Sequence, residues 1–300
     1  MTTPLPTLSV AIAAYNESAN IRQLLLSLVQ QSRKNFKLQK ILVATDGCTD
    51  STVEIVSELH NKFPQISLLQ GKSRKGKNYR LNQLFKKNTS DYLACFDADV
   101  QIKDNTFLST LIQFAFTESA ELVATTDIPA EPTTIIQSLA TTWVNIWDAS
   151  KHEYKKGNNI YSMTARSFLA SKKLIQITQF PEGVADDHYL YLNAITNNLK
   201  FSWCRGAQVF YKIPSTLDDY VKQSVRFMHV NTTLPIYFGE EAVRSYYIPS
   251  NIKVKTIVSS IFHKPFATFG ALLLHFYVRW QAAQMPIQVT SSWEILQSTK

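Results

Sequence analysis

Between Leu8 and Thr125 the chain alternates short apolar runs with segments of helical period, and this rhythm leaves few folds open. Leu8 to Ala14, Lys40 to Ala44, Ile66 to Leu69, Tyr92 to Phe96 and Leu122 to Thr125 read as strands. Ile21, Leu24, Leu25, Leu28 and Val29 share one helical face, and Val53, Val56 and Leu59 another. Leu81, Leu84 and Phe85 predict a third helix; Phe107, Leu108, Leu111 and Ile112 a fourth. Ser51 with Glu54 has capping-box spacing and predicts the start of the second helix. Strands alternating with helices predict an α/β chain built on a parallel, doubly wound sheet. Ligands of such sheets sit outside the carboxyl ends of the strands, where strand order reverses. Three polar turns fall at such ends: Tyr15-Asn16-Glu17, Asp46-Gly47 and Asp97-Ala98-Asp99. One pocket is the economical reading.

The fourth strand carries the sharpest signal, because its apolar run stops at two carboxylates one residue apart. Residues two apart on an extended chain point the same way, so Asp97 and Asp99 are expected to converge on one hard cation. Charge at the end of a buried strand needs a partner, since burying it unpaired is costly. The bland alternative is a solvated strand-to-loop edge. No glycine-rich phosphate loop follows the first strand, which argues against a dinucleotide fingerprint or a P-loop. Carboxylates with a tyrosine suit a nucleotide whose phosphates are held by a cation and basic side chains.

The net charge of +8 suits phosphorylated small molecules or an anionic membrane surface. No basic helix is interleaved with base-stacking aromatics, so nucleic acid is not an expected partner. Cys48, Cys95 and Cys204 are few and widely spaced, which points to a reducing compartment and no zinc site. The first apolar run lacks a basic flank and is too short for a signal peptide, so the expected location is cytoplasmic.

Six motifs in order over roughly residues 8 to 230 resemble the large family 2 of inverting nucleotide-sugar glycosyltransferases, with its GT-A fold. Ala13-Ala14-Tyr15-Asn16-Glu17 is similar to the family's Pro-x-Tyr-Asn-Glu without the proline. Thr45-Asp46-Gly47-Cys48-Thr49-Asp50 keeps one aspartate of Asp-Asp-Gly-Ser-x-Asp. Gly76-Lys77-Asn78-Tyr79-Arg80-Leu81-Asn82 matches Gly-Lys-x-x-x-Leu-Asn, and Asp97-Ala98-Asp99 matches Asp-x-Asp. Phe180-Pro181-Glu182 leads to the acidic pair Asp186-Asp187, and Gln223-Ser224-Val225-Arg226-Phe227 has phenylalanine where Gln-x-x-Arg-Trp has tryptophan.

The resemblance implies a Rossmann-like mixed sheet and a cation, Mn²⁺ or Mg²⁺, held mainly by Asp99 with Asp97 on the metal or the ribose. It implies donor contacts at Tyr15, Glu17, Asp46 and Lys77, and a base at Asp187 with Asp186 beside it. Gln223 and Arg226, three apart on one helix face, are implied at the departing pyrophosphate. The expected donor is a nucleotide-diphosphate sugar, UDP-linked, and the acceptor a hydroxyl of a glycan or lipid-linked sugar. The bland readings are a helix-dipole role for the two acids and solvated charge for Lys72, Arg74, Lys75, Arg80 and Arg226. His188 and His229 stand near the chemistry as further metal candidates. Trp143, Trp147 and Tyr154 are read as core packing before sugar stacking. A binding scaffold or a nucleotidyltransferase on a related sheet are the competing functions.

Residues 1–235 are expected to form the catalytic domain and 236–300 a helical tail. In the tail, Ile257 to Phe262 and Phe266 to Trp280 are apolar runs divided by His263-Lys264-Pro265. Neither reaches the length of a spanning helix, and Lys253, Lys255, Lys264 and Arg279 bracket them. The expectation is peripheral contact with the inner face of the cell membrane, against a packed C-terminal helix.

Overall fold

The structure is a computed structural model of the 300-residue chain and describes residues 4–229, 233–284 and 297–299. The described residues divide into two compact units. One takes the chain up to Ile128 with Met163–Tyr211; the other takes Pro129–Ser162 and the described residues from Lys212 onward.

The first unit begins with β1 (Thr7–Ala14), α1 (Ile21–Val29), β2 (Lys37–Asp46), α2 (Thr52–Lys62) and β3 (Ile66–Gly71). It continues with α3 (Lys77–Lys87), β4 (Tyr92–Asp97), α4 (Phe107–Glu118) and β5 (Leu122–Pro129). The chain then forms α5 (Ile135–Glu153) of the second unit before returning as β6 (Ser167–Ser171), α6 (Lys172–Gln176), α7 (Asp186–Thr196) and β7 (Phe201–Tyr211). The seven strands make one sheet, ordered β3-β2-β1-β4-β6-β5-β7.

Strands β1 to β4 are parallel, but β6 runs antiparallel to both β4 and β5. The sheet is therefore mixed, as the family resemblance implies, and the parallel order read from the alternating strands and helices holds for β1 to β4. β6 is a five-residue strand whose pairing sets Cys95 against Phe168, a long-range contact that no local periodicity encodes. In the parallel half, Val10, Ile12, Ile41, Val43 and Phe96 pack with the apolar faces of α1 and α4 in one core. Burying each such side chain stabilises by about 2 kcal/mol. Ala13 lies level with Asp97, and Ala14 with Thr45, so the carboxyl ends of β1, β2 and β4 form a common edge. Strand order reverses between β1 and β4 at that edge.

Ser51 does not cap α2. Asp50 does so instead, its Oδ1 accepting from the Thr52 backbone at 3.0 Å and from the Thr52 hydroxyl. An ionised acceptor at a helix start outcompetes the neutral hydroxyl beside it.

The second unit holds α5 with α8 (Leu217–His229), α9 (Pro235–Ser245, kinked at Gly239), α10 (Ser250–His263) and α11 (Pro265–Gln284). Thr134 caps α5 by accepting from Gln137 at 3.2 Å, and Thr216 caps α8 by accepting from Asp219 at 3.3 Å. Helix α11 packs on α5 and α8, and α10 on α5 and α11. Gly270 permits the close approach of α11 to α5, since a Cβ there would meet Leu139 at 2.7 Å. The second unit thus takes in 129–162 and 212–229 along with the described residues of the 236–300 tail. Trp143 stacks on His275 at 3.8 Å, Trp147 meets Tyr161 edge-on at 5.0 Å, and Tyr154 meets Tyr247 at 6.5 Å, all within this unit. Pro265 separates α10 from α11 as expected. Among the described residues, no helix is long and apolar enough to cross a membrane.

Burial pushes the His275 imidazole from its ordinary 6.5 down to about 4, and the Arg279 charge adds to the effect. The unfolded chain takes up this proton near 6.5 and the folded chain only near 4, so its contribution is whole above 6.5 and lost as pH falls toward 4. Thermal unfolding of His275→Phe is expected to show a shallower loss of Tm than wild type across that window. Identical slopes would remove His275 as the cause.

Candidate active site

The carboxyl edge of β1, β2 and β4 is built around α3, whose first residue is Lys77. The Lys77 ammonium lies 2.6 Å from Asp97 Oδ1, at the end of β4, and 3.0 Å from Asp186 Oδ2, at the start of α7. The three side chains are each less than a third exposed. Burial alone would lower the Lys77 pKa, but the charges of Asp186 and Asp97 outweigh it and hold the ammonium firmly protonated. Burial pushes the Asp186 carboxyl up; Lys77 pulls it back, while Asp187 and Asp97 repel its charge and leave it raised. Lys77, expected on a donor phosphate, is here turned onto two acids.

Asp187 sits one residue further along α7. Its Oδ2 accepts from the Ala165 backbone at 3.2 Å and its Oδ1 from the His188 backbone at 2.8 Å. The base implied by the resemblance is Asp187, whereas the carboxyl that burial raises is its neighbour Asp186. Asp99 is half-buried in the turn beyond β4 and is not on the strand, so the alternation argument for its direction does not apply.

Asp46 is buried and committed to the protein. Its Oδ1 accepts from Lys75 N at 2.8 Å and Arg80 Nε at 2.7 Å, and its Oδ2 from Gly76 N at 2.8 Å. Arg80 also donates to the Ser73 carbonyl at 2.7 Å, which makes it the anchor of loop 71–76 and not solvated charge. Gly71 must lack a Cβ, because Arg80 occupies that space, and Gly47, with φ +69°, lies against the Ser73–Arg74 backbone. Arg74 stacks over the Tyr15 ring at 4.0 Å. Glu17 is buried; its Oε2 accepts from Asn20 at 2.9 Å, and its backbone N–H donates to Thr52.

The Gly-Lys-x-x-x-Leu-Asn motif has a physical reason beyond Lys77. Asn78 Nδ2 donates to the Pro181 and Val184 carbonyls at 2.6 and 2.8 Å. Asn82 donates to the Phe180 carbonyl at 2.8 Å and accepts from the Phe180 N–H at 2.9 Å. Two amides one turn apart on α3 thus clamp the loop that delivers Asp186 and Asp187.

Three residues that the sequence reading passed over adjoin this cluster. Arg166, whose carbonyl accepts from Asp97 N at 3.0 Å, pairs with Asp127 at 3.0 Å and lies over the Tyr211 ring at 3.7 Å. Asp127 follows the same rule as the other acids, standing near the carboxyl end of its strand. Ending β5 at Thr125 hid it.

Gln223 and Arg226 lie on α8 of the second unit, both half-buried, on the helix that Thr216 caps. The side chains of Phe227 and His229 lie outside the described residues. Among the described residues no group of three or more His, Cys, Asp or Glu is placed to hold a metal, so His188 joins no such cluster. The carboxylates of Asp97 and Asp99 nonetheless fit a nucleotide-bound cation: Mg²⁺ takes one or two carboxylates and completes its shell with phosphates and water.

The mixed sheet gathers acids at its switch point, where α/β sheets bind their ligands. Residues 9–176 match the family model for glycosyl transferase family 2, and the chain belongs to that family. It is 25% identical over 232 residues to the poly-beta-1,6-N-acetyl-D-glucosamine synthase of Staphylococcus aureus (strain COL), covering 72% of this chain and 52% of the synthase. The chain spans about half the length, or less, of such curated relatives. In fold it is similar to the mannosyltransferase PcManGT of Pyrobaculum calidifontis in complex with GDP-Man and Mn²⁺. The TM-score is 0.61 at 17% identity, over 94% of this chain and 78% of that one. It is also similar to S. aureus TarS 1-349 in complex with UDP-GlcNAc, with a TM-score of 0.54 at 18% identity over 86% and 73% of the chains. Residues 9–176 form its family 2 domain, and the mixed sheet has a GT-A-like fold.

Replacing Lys77 with Met leaves two partly buried carboxylates facing each other without a cation. The variant is expected to lose about 3 kcal/mol of stability, with partial recovery in Lys77→Met/Asp97→Asn. Chemical denaturation of the two variants checks this, and additive losses would dismiss the triad. Asn82→Ala is expected to keep nucleotide binding but lower turnover at least tenfold, because the loop before α7 is released. Equal losses in binding and turnover would contradict that assignment.

Proposed function

We propose that the protein is a cation-dependent inverting transferase that moves a sugar from a UDP-linked donor to a hydroxyl of a glycan or lipid-linked acceptor. The observation that carries this reading is the meeting of Asp97 with Asp186 around Lys77 at the reversal point of the sheet. Asp97 and Asp99 would hold Mn²⁺ or Mg²⁺. When bound, the cation supplies Lewis-acid neutralisation of the leaving diphosphate.

The chain's own residues do the rest. Tyr15 and Arg74 form a stacked wall, and Glu17 and Asp46 stiffen the turns that border the donor. Asp187 takes the proton from the acceptor hydroxyl as its oxygen bonds to the anomeric carbon; the bond from that carbon to the diphosphate breaks, and the nucleotide leaves. Asp187 is preferred to Asp186 because its hydrogen bonds come from neutral backbone donors, whereas Asp186 faces the Lys77 ammonium. Gln223 and Arg226 are assigned to the departing diphosphate by motif alone. UDP is favoured by the likeness to TarS, and GDP is the competing choice through PcManGT. We place the enzyme in the cytoplasm, in peripheral contact with the inner face of the cell membrane.

Calorimetric titration of UDP, GDP and CDP, each with Mn²⁺ and with chelator, tests the donor site. UDP binding that needs both metal and Asp99 is expected, and binding unchanged in Asp99→Ala with chelator present would overturn the metal assignment. Asp187→Asn is expected to bind UDP normally and to lose about 10²- to 10⁴-fold in UDP release from the donor. If Asp186→Asn shows that loss and Asp187→Asn does not, the base is Asp186.

A further inference from the structure

Helix α11 carries two apolar stripes. Thr268, Ala271, Leu274, Val278 and Ala282 are buried against the helical unit, which accounts for one. The other points outward: Phe266, Phe269, Leu273, Phe276 and Trp280 are 92, 65, 56, 64 and 57% exposed, at spacings of three and four residues. Helix α10 repeats the pattern, with Val254, Val258, Ile261 and Phe262 exposed and Thr256 buried. Phe262 and Phe266 flank the Pro265 break, so the two exposed stripes meet there. A surface helix ordinarily turns polar residues outward, and a continuous apolar face of this extent calls for a partner.

Charge identifies the partner. From Ser250 to Gln284 the chain has no Asp or Glu, while Lys253, Lys255, Lys264 and Arg279 are all exposed. Lys255 is paired with Glu153 at 2.8 Å. A second copy docked through the same face would bring like charges together, because an isologous contact sets the patch against itself. Anionic headgroups complement the charges, and acyl chains complement the aromatic stripe. Neither helix is long and apolar enough to span a bilayer, so the face lies along its surface.

We propose that α10 and α11 are a membrane-docking surface for anionic lipid, with Phe262, Phe266, Phe269 and Trp280 entering the headgroup–acyl boundary and Lys253, Lys264 and Arg279 contacting headgroups. This deepens the peripheral placement proposed above and does not depend on the donor chemistry.

Sedimentation of the full chain with vesicles of phosphatidylcholine alone, or with phosphatidylglycerol added, tests it. Wild type is expected to sediment with the anionic vesicles and to be released by high salt. Phe266→Glu/Phe269→Glu is expected to lose binding at least tenfold, and Lys264→Gln/Arg279→Gln about fivefold per residue on anionic vesicles only. The replaced side chains are exposed, so circular dichroism and UDP binding are expected to match wild type. UDP binding without vesicle binding would reject the docking surface alone; the reverse would reject the donor site alone. Wild type that ignores both vesicles, or the Phe variant sedimenting like wild type, overturns the proposal. Dimerisation in ultracentrifugation that is abolished by Phe266→Glu/Phe269→Glu, without vesicle binding, would give the face to a second copy.

Discussion

The arrangement of the site depends on one ammonium group. Asp97 ends a central strand, Asp186 opens α7, and nothing in chain connectivity would keep two carboxylates close in a poorly solvated place. Lys77 overcomes their repulsion by standing within 3.0 Å of both. Removing water from the three groups is expensive, and only their mutual attraction offsets it. The arrangement is therefore specific.

Around that centre, α3 acts as the organising element of the sheet edge. On one side Arg80 and the N–H groups of Lys75 and Gly76 saturate Asp46 and hold the loop after β3. On the other, Asn78 and Asn82 clamp the backbone from Phe180 to Val184. One helix thereby sets the distance between the strand end that carries Asp97 and the helix start that carries Asp186 and Asp187. The same motif that reads as a phosphate-contact signature is a scaffold of side-chain-to-backbone hydrogen bonds.

The parallel half of the sheet was legible because β1, β4 and the second half of β2 are buried on both faces and each helix presents one apolar face, patterns that a local window captures. β6 and β7 were not foreseen, and β6 runs against its neighbours by pairings far apart in sequence. The site was legible as residue types at strand ends: Asp97, Asp46, and the pair Asp186-Asp187. Their commitments were not. Asp46 turned out to be saturated by backbone and Arg80, and Asp127 with Arg166 was missed because β5 runs past the point where its apolar run stops.

By itself the sequence determined the order of the first five strands and the helices between them, the family, and the positions of the acids, because periodicity and motif spacing are one-dimensional properties. It also marked the tail as apolar, basic and broken at Pro265. Tertiary structure alone decided which acid carries the raised pKa, since that depends on burial and on the approach of Lys77 from another element. It alone decided which stripe of α11 is buried and which is exposed, since both are apolar and only packing against α5 and α8 tells them apart.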